Sequence, residues 1–294
     1  MALKLAYETW GEGPHPLLLL HGFTGNRCAF DHLRPLMSDK VRAIAVDLPG
    51  HGQTPLPSRT GRDGFLETVD ALMGVLDEVG VPKTNLLGYS QGARFALAAA
   101  LSRPERFGRL IMESGSPGLH RRQERTERRA KDAQLAAFIR QKGVESFVAH
   151  WESQPIFAGL RKLSPEQQEL LRARRRACTV EGLVGALDCL GLGVQPDYWP
   201  ELQRQRLPTL LLTGALDEKF TQIARWMAAE LPVVWRCTFE ECGHAPHLEV
   251  PEEYAREVIS FLRTPWYESP EFENAAPDKS AAGARAGSRE RGIP

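Results

Sequence analysis

Five residues, Gly88-Tyr89-Ser90-Gln91-Gly92, constrain this chain more than any others. The apolar run Asn85–Tyr89 leads into them, and an Ala- and Leu-rich stretch, Gln91–Leu101, follows. A buried strand that turns sharply into a helix crowds its own backbone, and glycines flanking the turn relieve that crowding. The residue at the apex is pushed out past the edge of the sheet, so the pattern puts the Ser90 hydroxyl where a ligand can reach it. A chance G-x-S-x-G in a loop would lack both the apolar run before it and the helical run after it.

A sheet that presents a serine this way needs parallel strands alternating with helices, and the rest of the chain supplies them. Leu17–Leu20 ends at His21-Gly22, Val41–Val46 ends at Asp47-Leu48-Pro49-Gly50, and Leu110–Met112 belongs to a fourth run; Thr209–Thr213 and Trp235–Phe239 come later. Short apolar runs bounded by Gly and Pro suit strands buried on both faces. Between them, Gly64–Val79 carries Phe65, Val69, Leu72, Met73, Leu76 and Val79 close to a 3.6-residue period. Thr221–Leu231 and Glu252–Leu262 read as further helices. The alternation predicts the α/β class, with a mostly parallel, doubly wound sheet. It breaks between Gly118 and Tyr198, where three helical patterns (Ala130–Lys142, Pro165–Arg176, Val180–Leu190) occur without a strand. The expected organisation is therefore a core in two parts, residues 1–117 and 199–263, with a helical cap, 118–198, inserted after the strand near Leu110. Residues 264–294 are rich in Pro, Ala, Gly, Ser and charge, a composition that predicts a disordered tail, with Trp266, Tyr267 and Phe272 available to pin its first part.

Charge narrows the function. Lys+Arg and Asp+Glu are both 37, which argues against a nucleic-acid partner held by bulk charge. The cap segment Gly118–Pro200 nevertheless carries 14 bases against 10 acids, concentrated in His120–Lys131 and Arg172–Arg176. Most of these are solvated helix faces. The longest apolar runs fall far short of the ~20 residues of a membrane span, and the N-terminus has no signal-peptide pattern. Five cysteines (Cys28, Cys178, Cys189, Cys237, Cys242) without a C-x-x-C pair predict reduced thiols, a cytoplasmic location and no metal site.

A serine hydroxyl is a weak base or nucleophile until a histidine, oriented by an acid, takes its proton. Asp217 stands just past the run Leu210–Gly214, where functional groups gather in open α/β sheets; Glu218 beside it reads as a solvated turn acid. His244 lies between the last strand and the last helix and is taken as the base, with His247 as a structural neighbour or, less favourably, in the reversed role. An oxyanion needs two backbone N–H donors, and Gln91 and Phe23, the latter in the loop His21–Gly25, are nominated. His21, Asp47 and His51 read as residues that shape loops.

These elements together resemble the α/β-hydrolase superfamily over about residues 3–263. The segments LLHGFTG, AVDLPGHG, LLGYSQGAR, SGSPGL with an Arg-rich stretch after it, HWESQPIF and GALDEKF are similar to the family of 2-succinyl-6-hydroxy-2,4-cyclohexadiene-1-carboxylate synthases of the menaquinone pathway. The resemblance implies a lyase that eliminates pyruvate from a tricarboxylate, without a cofactor, using Ser90, Asp217 and His244. It also implies a pocket that includes Phe23, Tyr89, Arg94, Arg128, Trp151, Arg175 and Lys219. Neighbouring arginines leave Arg128 and Arg175 interchangeable with Arg121, Arg122, Arg125 or Arg129, and with Arg174 or Arg176. Ala93 stands where many relatives have a further Gly. The residues themselves agree on a small anionic substrate: Arg94 lies one helical turn past Ser90, and a guanidinium fork matches a carboxylate. An ion pair from Arg94 to Glu113 is the structural alternative. A serine hydrolase of an anionic ester, thioester or C–C bond, or a catalytically silent binding protein, would share the fold.

Overall fold

A computed structural model describes residues 2–265. Within them seven strands form one sheet: β1 (Tyr7–Trp10), β2 (His15–Leu20), β3 (Val41–Val46), β4 (Thr84–Tyr89), β5 (Phe107–Glu113), β6 (Thr209–Gly214) and β7 (Val234–Phe239), in the order β1-β3-β2-β4-β5-β6-β7. All neighbouring pairs are parallel except β1 with β3. The described helices are α1 (Arg34–Met37), α2 (Gly61–Val79), α3 (Gln91–Ser102), α4 (Arg122–Glu152), α5 (Pro165–Arg176), α6 (Val180–Leu190), α7 (Glu218–Ala228), α8 (Pro246–Glu249) and α9 (Pro251–Arg263). Residues up to Leu262 form one compact unit. A second unit starts at Arg263, and only its first three residues are described. The expected disordered tail, with Trp266, Tyr267 and Phe272, falls outside the described residues.

The central strands are apolar because both faces are covered: Leu17, Leu18, Leu19 and Leu20 of β2 are all at most 3% exposed. Full burial of each such side chain stabilises the fold by roughly 1.5–3 kcal/mol. Phe65 of α2 stacks on Phe95 of α3 at 4.3 Å, locking these helices together. The chain order runs outward from β2 to β3 in one direction and from β4 to β5 in the other. This reversal opens a crevice at the C-terminal ends of β2 and β4, the position where doubly wound sheets bind ligands. Ser90 and the His21–Gly25 loop both lie there.

β1 went unread in the sequence: four residues of an antiparallel edge strand carry too little pattern to register. α4 is longer than the expected Ala130–Lys142. Its first turns are polar on every side and start with the Arg121 N–H donating to Glu124 Oε2 at 3.1 Å. Gly143, at φ 75° and ψ 174°, interrupts it where the periodicity ended, and a further stretch runs to Glu152. Between β5 and β6 the described residues hold only helices and turns. α6 contributes Ala186, Cys189 and Leu190 to the main core, while its Leu183, Val184 and Leu187 pack on Ala136, Ile139, Phe147 and Val148 of α4.

Candidate active site

Ser90 sits at the β4–α3 turn with φ 51° and ψ −104°, a left-handed region that a side-chain-bearing residue enters only when its surroundings enforce it. The enforcement is visible: the Ser90 N–H donates to Glu113 O of β5 at 2.8 Å, and α3 is pressed against β2. A Cβ on Gly92 would lie 2.0 Å from Leu20 O, so only glycine permits that approach. His244 Nε2 lies 3.1 Å from Ser90 Oγ, and His244 Nδ1 lies 2.6 Å from Asp217 Oδ2. Asp217 caps α7 with its other oxygen, accepting from the Phe220 N–H at 3.3 Å, so the helix start fixes the carboxylate that orients the imidazole. The three sequence-nominated residues thus meet in one relay, from three loops at strand C-termini. The charge of Asp217 favours the Nδ1–H tautomer, which leaves Nε2 as an acceptor for the Ser90 proton.

The His21–Gly25 loop closes on the serine from β2. Gly22 approaches so near that a Cβ there would meet the Tyr89 ring at 2.7 Å and Ser90 Cβ at 3.5 Å. The loop is held by neutral imidazoles. His21 Nδ1–H donates to Gly22 O at 2.7 Å, and its Nε2 accepts from the Leu48 N–H at 2.9 Å. His51 likewise donates to Pro49 O at 3.0 Å and accepts from the Thr24 N–H at 3.2 Å. Burial pushes His21 down to about 4 and His51 to about 3, the latter also through its proximity to His21. Asp47 accepts from the Arg27 and Gln53 N–H groups at 2.6 and 2.9 Å. His21, Asp47 and His51 therefore shape loops. His247 is structural too: its Nδ1 and backbone N–H both donate to the buried Glu113 Oε1, at 2.7 and 3.2 Å.

The pocket on which Ser90 opens is walled by Phe23, Tyr89, Trp151, Phe157 and Leu160, with Arg174 and Arg175 at its basic side. Trp151 packs its ring against Phe23, Phe147 and Phe157 at 5.4–5.6 Å. Burial, then the charge of Glu113, raises the Tyr89 phenol well above its ordinary value, so it is present as a neutral hydroxyl. Arg175 is buried, donates to Glu152 at 3.0 Å and lies 5.2 Å over the Phe157 ring; its Nε has no hydrogen-bond partner among the described residues. Arg176 points away and pairs with Glu145 and Glu169.

Arg94, Arg128 and Lys219 lie outside the lining of this pocket, and the Arg128 charge acts on both of the others. Arg94 is buried and donates to Leu190 O at 2.9 Å and to Gln195 Oε1 at 3.4 Å, both neutral oxygens. Glu113, its alternative partner in the sequence, is committed to His247. Burial, then repulsion from Arg128, lowers the Arg94 guanidinium to about 9; Asp132 offsets this in part. Arg128 Nε donates to Asp132 Oδ1 at 2.8 Å. Burial raises Asp132 despite Arg128 and Arg94 beside it. Partial burial and then the Arg128 charge lower Lys219.

Comparison with known proteins shows the family. The model of the alpha/beta hydrolase family matches residues 17–257. The 2-succinyl-6-hydroxy-2,4-cyclohexadiene-1-carboxylate synthase of Citrobacter koseri is 34% identical over 263 residues, which is 90% of this chain and 100% of that protein. The chain belongs to this synthase family. MenH from S. aureus superposes with a TM-score of 0.82 at 32% identity, covering 87% of this chain and 97% of that one. A thermophilic esterase from Thermogutta terrifontis, solved with malate bound, superposes with a TM-score of 0.73 at 26% identity, over 88% and 93%. The synthase family and an esterase thus share one scaffold.

Sequence reasoning did not single out Arg174, Leu160 or Leu171 of this synthase-family pocket. The 3.6-residue period of α5 could have separated Arg176 from Arg175, because Leu171 and Arg175 are four apart and share a face. No sequence signal tied Glu113 to His247, which are 134 positions apart.

Proposed function

We propose that this chain eliminates pyruvate from 2-succinyl-5-enolpyruvyl-6-hydroxy-3-cyclohexene-1-carboxylate to give 2-succinyl-6-hydroxy-2,4-cyclohexadiene-1-carboxylate, with Ser90, His244 and Asp217 as a general-base relay. The observation that carries this reading over a generic esterase is Arg94. A buried guanidinium hydrogen-bonded to neutral oxygens is expensive to hold unless an anion arrives to meet it. A tricarboxylate uses it; a neutral ester does not. Arg128 and Lys219 on one side, and Arg174 and Arg175 on the other, offer the remaining cations. The helices from about Gly118 to Tyr198 serve as a cap, since α4 and α5 supply Trp151, Arg174 and Arg175.

The substrate and product fix the bonds that change. The ring double bond moves from C3–C4 to become C2–C3 and C4–C5, and the C5–O bond to the enolpyruvyl group breaks. The proton therefore leaves C2, which is acidified by the succinyl carbonyl it carries. His244 takes the Ser90 hydroxyl proton as Ser90 Oγ takes the C2 proton, and Asp217 stabilises the imidazolium. The electron pair passes through the succinyl enolate, whose oxygen the Phe23 and Gln91 N–H groups receive, and then expels enolpyruvate, which is protonated to pyruvate. Serine acts here as a base, with no acyl-enzyme. No net oxidation or reduction occurs, so the reaction calls for no cofactor. The substrate is a small anion; five unbonded cysteines suit a reducing cytoplasm.

The test compares kcat/KM for pyruvate release from this substrate with that for a panel of p-nitrophenyl esters. Pyruvate release with negligible ester turnover is the expected result. The reverse ranking would assign a serine hydrolase that uses the same triad as a nucleophile.

A further inference from the structure

His244 is held by more than Asp217. The Gly243 N–H donates to Glu249 Oε2 at 2.8 Å, and the Ala245 N–H donates to Glu249 Oε1 at 3.2 Å. One carboxylate thus spans the backbone on both sides of the catalytic histidine. The carbonyl of His244 itself accepts from Ser114 Oγ at 2.9 Å, from the loop just past β5. Three residues on, the segment is fixed again where Glu113 accepts from the His247 N–H and ring. A histidine on a loop between β7 and α8 has few backbone partners of its own, and here the N–H groups of both its neighbours and its own carbonyl are tied to side chains.

Glu249 also faces the cap. A Cβ on Gly159, in the 3-10 turn Pro155–Lys162, would lie 2.0 Å from Glu249 Oε2, so that turn rests its backbone on the carboxylate. Phe157 of the same turn walls the pocket, with its ring 6.2 Å from that of His244. Lys162 at the end of the turn donates to Glu241 O at 2.8 Å, on the same loop as His244.

We propose that Glu249 is a positioning residue for His244: its carboxylate clamps the Gly243 and Ala245 amides and so sets the imidazole in line with Ser90 and Asp217, with the Pro155–Lys162 turn seated against it. Hydrogen bonds to an ionised acceptor are stronger than neutral ones, and a carboxylate has two oxygens for two donors. A glutamine has one acceptor oxygen, so Glu249→Gln keeps the size and loses one of the two bonds. An alanine keeps neither. Misplacing a catalytic group by about 1 Å costs on the order of a hundredfold in rate.

The inference rests on His244 being the base, and two readouts keep it apart from the substrate assignment. The first is kcat and KM for pyruvate release by the full chain, with Glu249→Gln, Glu249→Ala and, as a control on the exposed start of α9, Glu252→Gln. The second is the far-downfield proton resonance of the short His244 Nδ1–H to Asp217 bond, which needs no substrate. Glu249→Ala should lower kcat by about ten- to a hundredfold with little change in KM, and should shift or broaden the resonance. Glu249→Gln should fall between it and the wild type, and Glu252→Gln should match the wild type. A lower melting temperature with kcat and the resonance unchanged would make Glu249 a purely structural residue and overturn the proposal. A wild type that releases no pyruvate, yet whose resonance moves on Glu249→Gln, would overturn the substrate assignment and leave the clamp standing.

Discussion

Replacing Arg94 with methionine should separate binding from stability. In the free protein the guanidinium is lowered from its ordinary value to about 9, first through burial and then through Arg128. At about 1.4 kcal/mol per tenfold, holding that charge in place costs on the order of 5 kcal/mol. Methionine removes this term. It also leaves Leu190 O with only the Gln91 Nε2 donor at 3.5 Å and takes the Arg94 donor from Gln195 Oε1, and a buried acceptor left without a donor costs about 1–3 kcal/mol. The first effect is the larger, so the melting temperature of Arg94→Met should stay where it is or rise by a few degrees. Activity should move the other way. A charge-assisted bond to a substrate carboxylate contributes roughly 1.5–3 kcal/mol, so kcat/KM should fall by about one to two orders of magnitude. Arg94→Lys should recover part of this, since the ammonium keeps the charge but loses the fork. The assay is pyruvate release, coupled to its reduction by lactate dehydrogenase, beside a thermal melt of each variant. A large drop in melting temperature, with full kcat/KM in the molecules that remain folded, would refute the reasoning and make Arg94 a strut between α3 and α6.

Ser90→Ala and His244→Ala should each lower kcat by about three orders of magnitude or more while the melting temperature holds, and the double variant should be little worse than either, because the two act as one unit. A near-wild-type rate for Ser90→Ala would end the base-relay reading. Acid should destabilise the fold early: His21, and His32, whose Nε2 lies 2.6 Å from His247 O, are held near 4 and His51 near 3, mainly by burial, while the same residues in the unfolded chain take up a proton near 6.5. Their folded values lie below their unfolded ones, so stability falls as the pH drops from about 6.5 towards 4, by about 4 kcal/mol per pH unit for the three together. A melting temperature that stays flat between pH 7 and pH 5 would show that these imidazoles are not buried neutral.

The sequence by itself determined the strand–helix alternation, the serine at its turn, and the order serine, acid, histidine along the chain. These are local matters. A buried parallel strand reads as a short apolar run, and a sharp turn announces itself through Gly88 and Gly92. It also placed Asp217 and His244, because a loop after a strand carries few other candidates. What it could not determine is which cation meets which partner. Arg94 lies one helical turn from Ser90, yet its hydrogen bonds go to Leu190 and Gln195, about a hundred positions away, on and just beyond α6. Arg174, Arg175 and Arg176 are chemically equal in sequence, and only the packing of α5 sends two of them to the pocket and the third to Glu145 and Glu169. β1 was lost because an antiparallel edge strand of four residues has almost no period to detect. The clamp of Glu249 on the amides beside His244 turns on the backbone's path through α8, where four residues bring a side chain back over the peptides that precede it. Apolar patterning encodes which residues are inside. Hydrogen-bond and charge partners are chosen by distance in three dimensions, and that distance exists only once the sheet has brought the loops together.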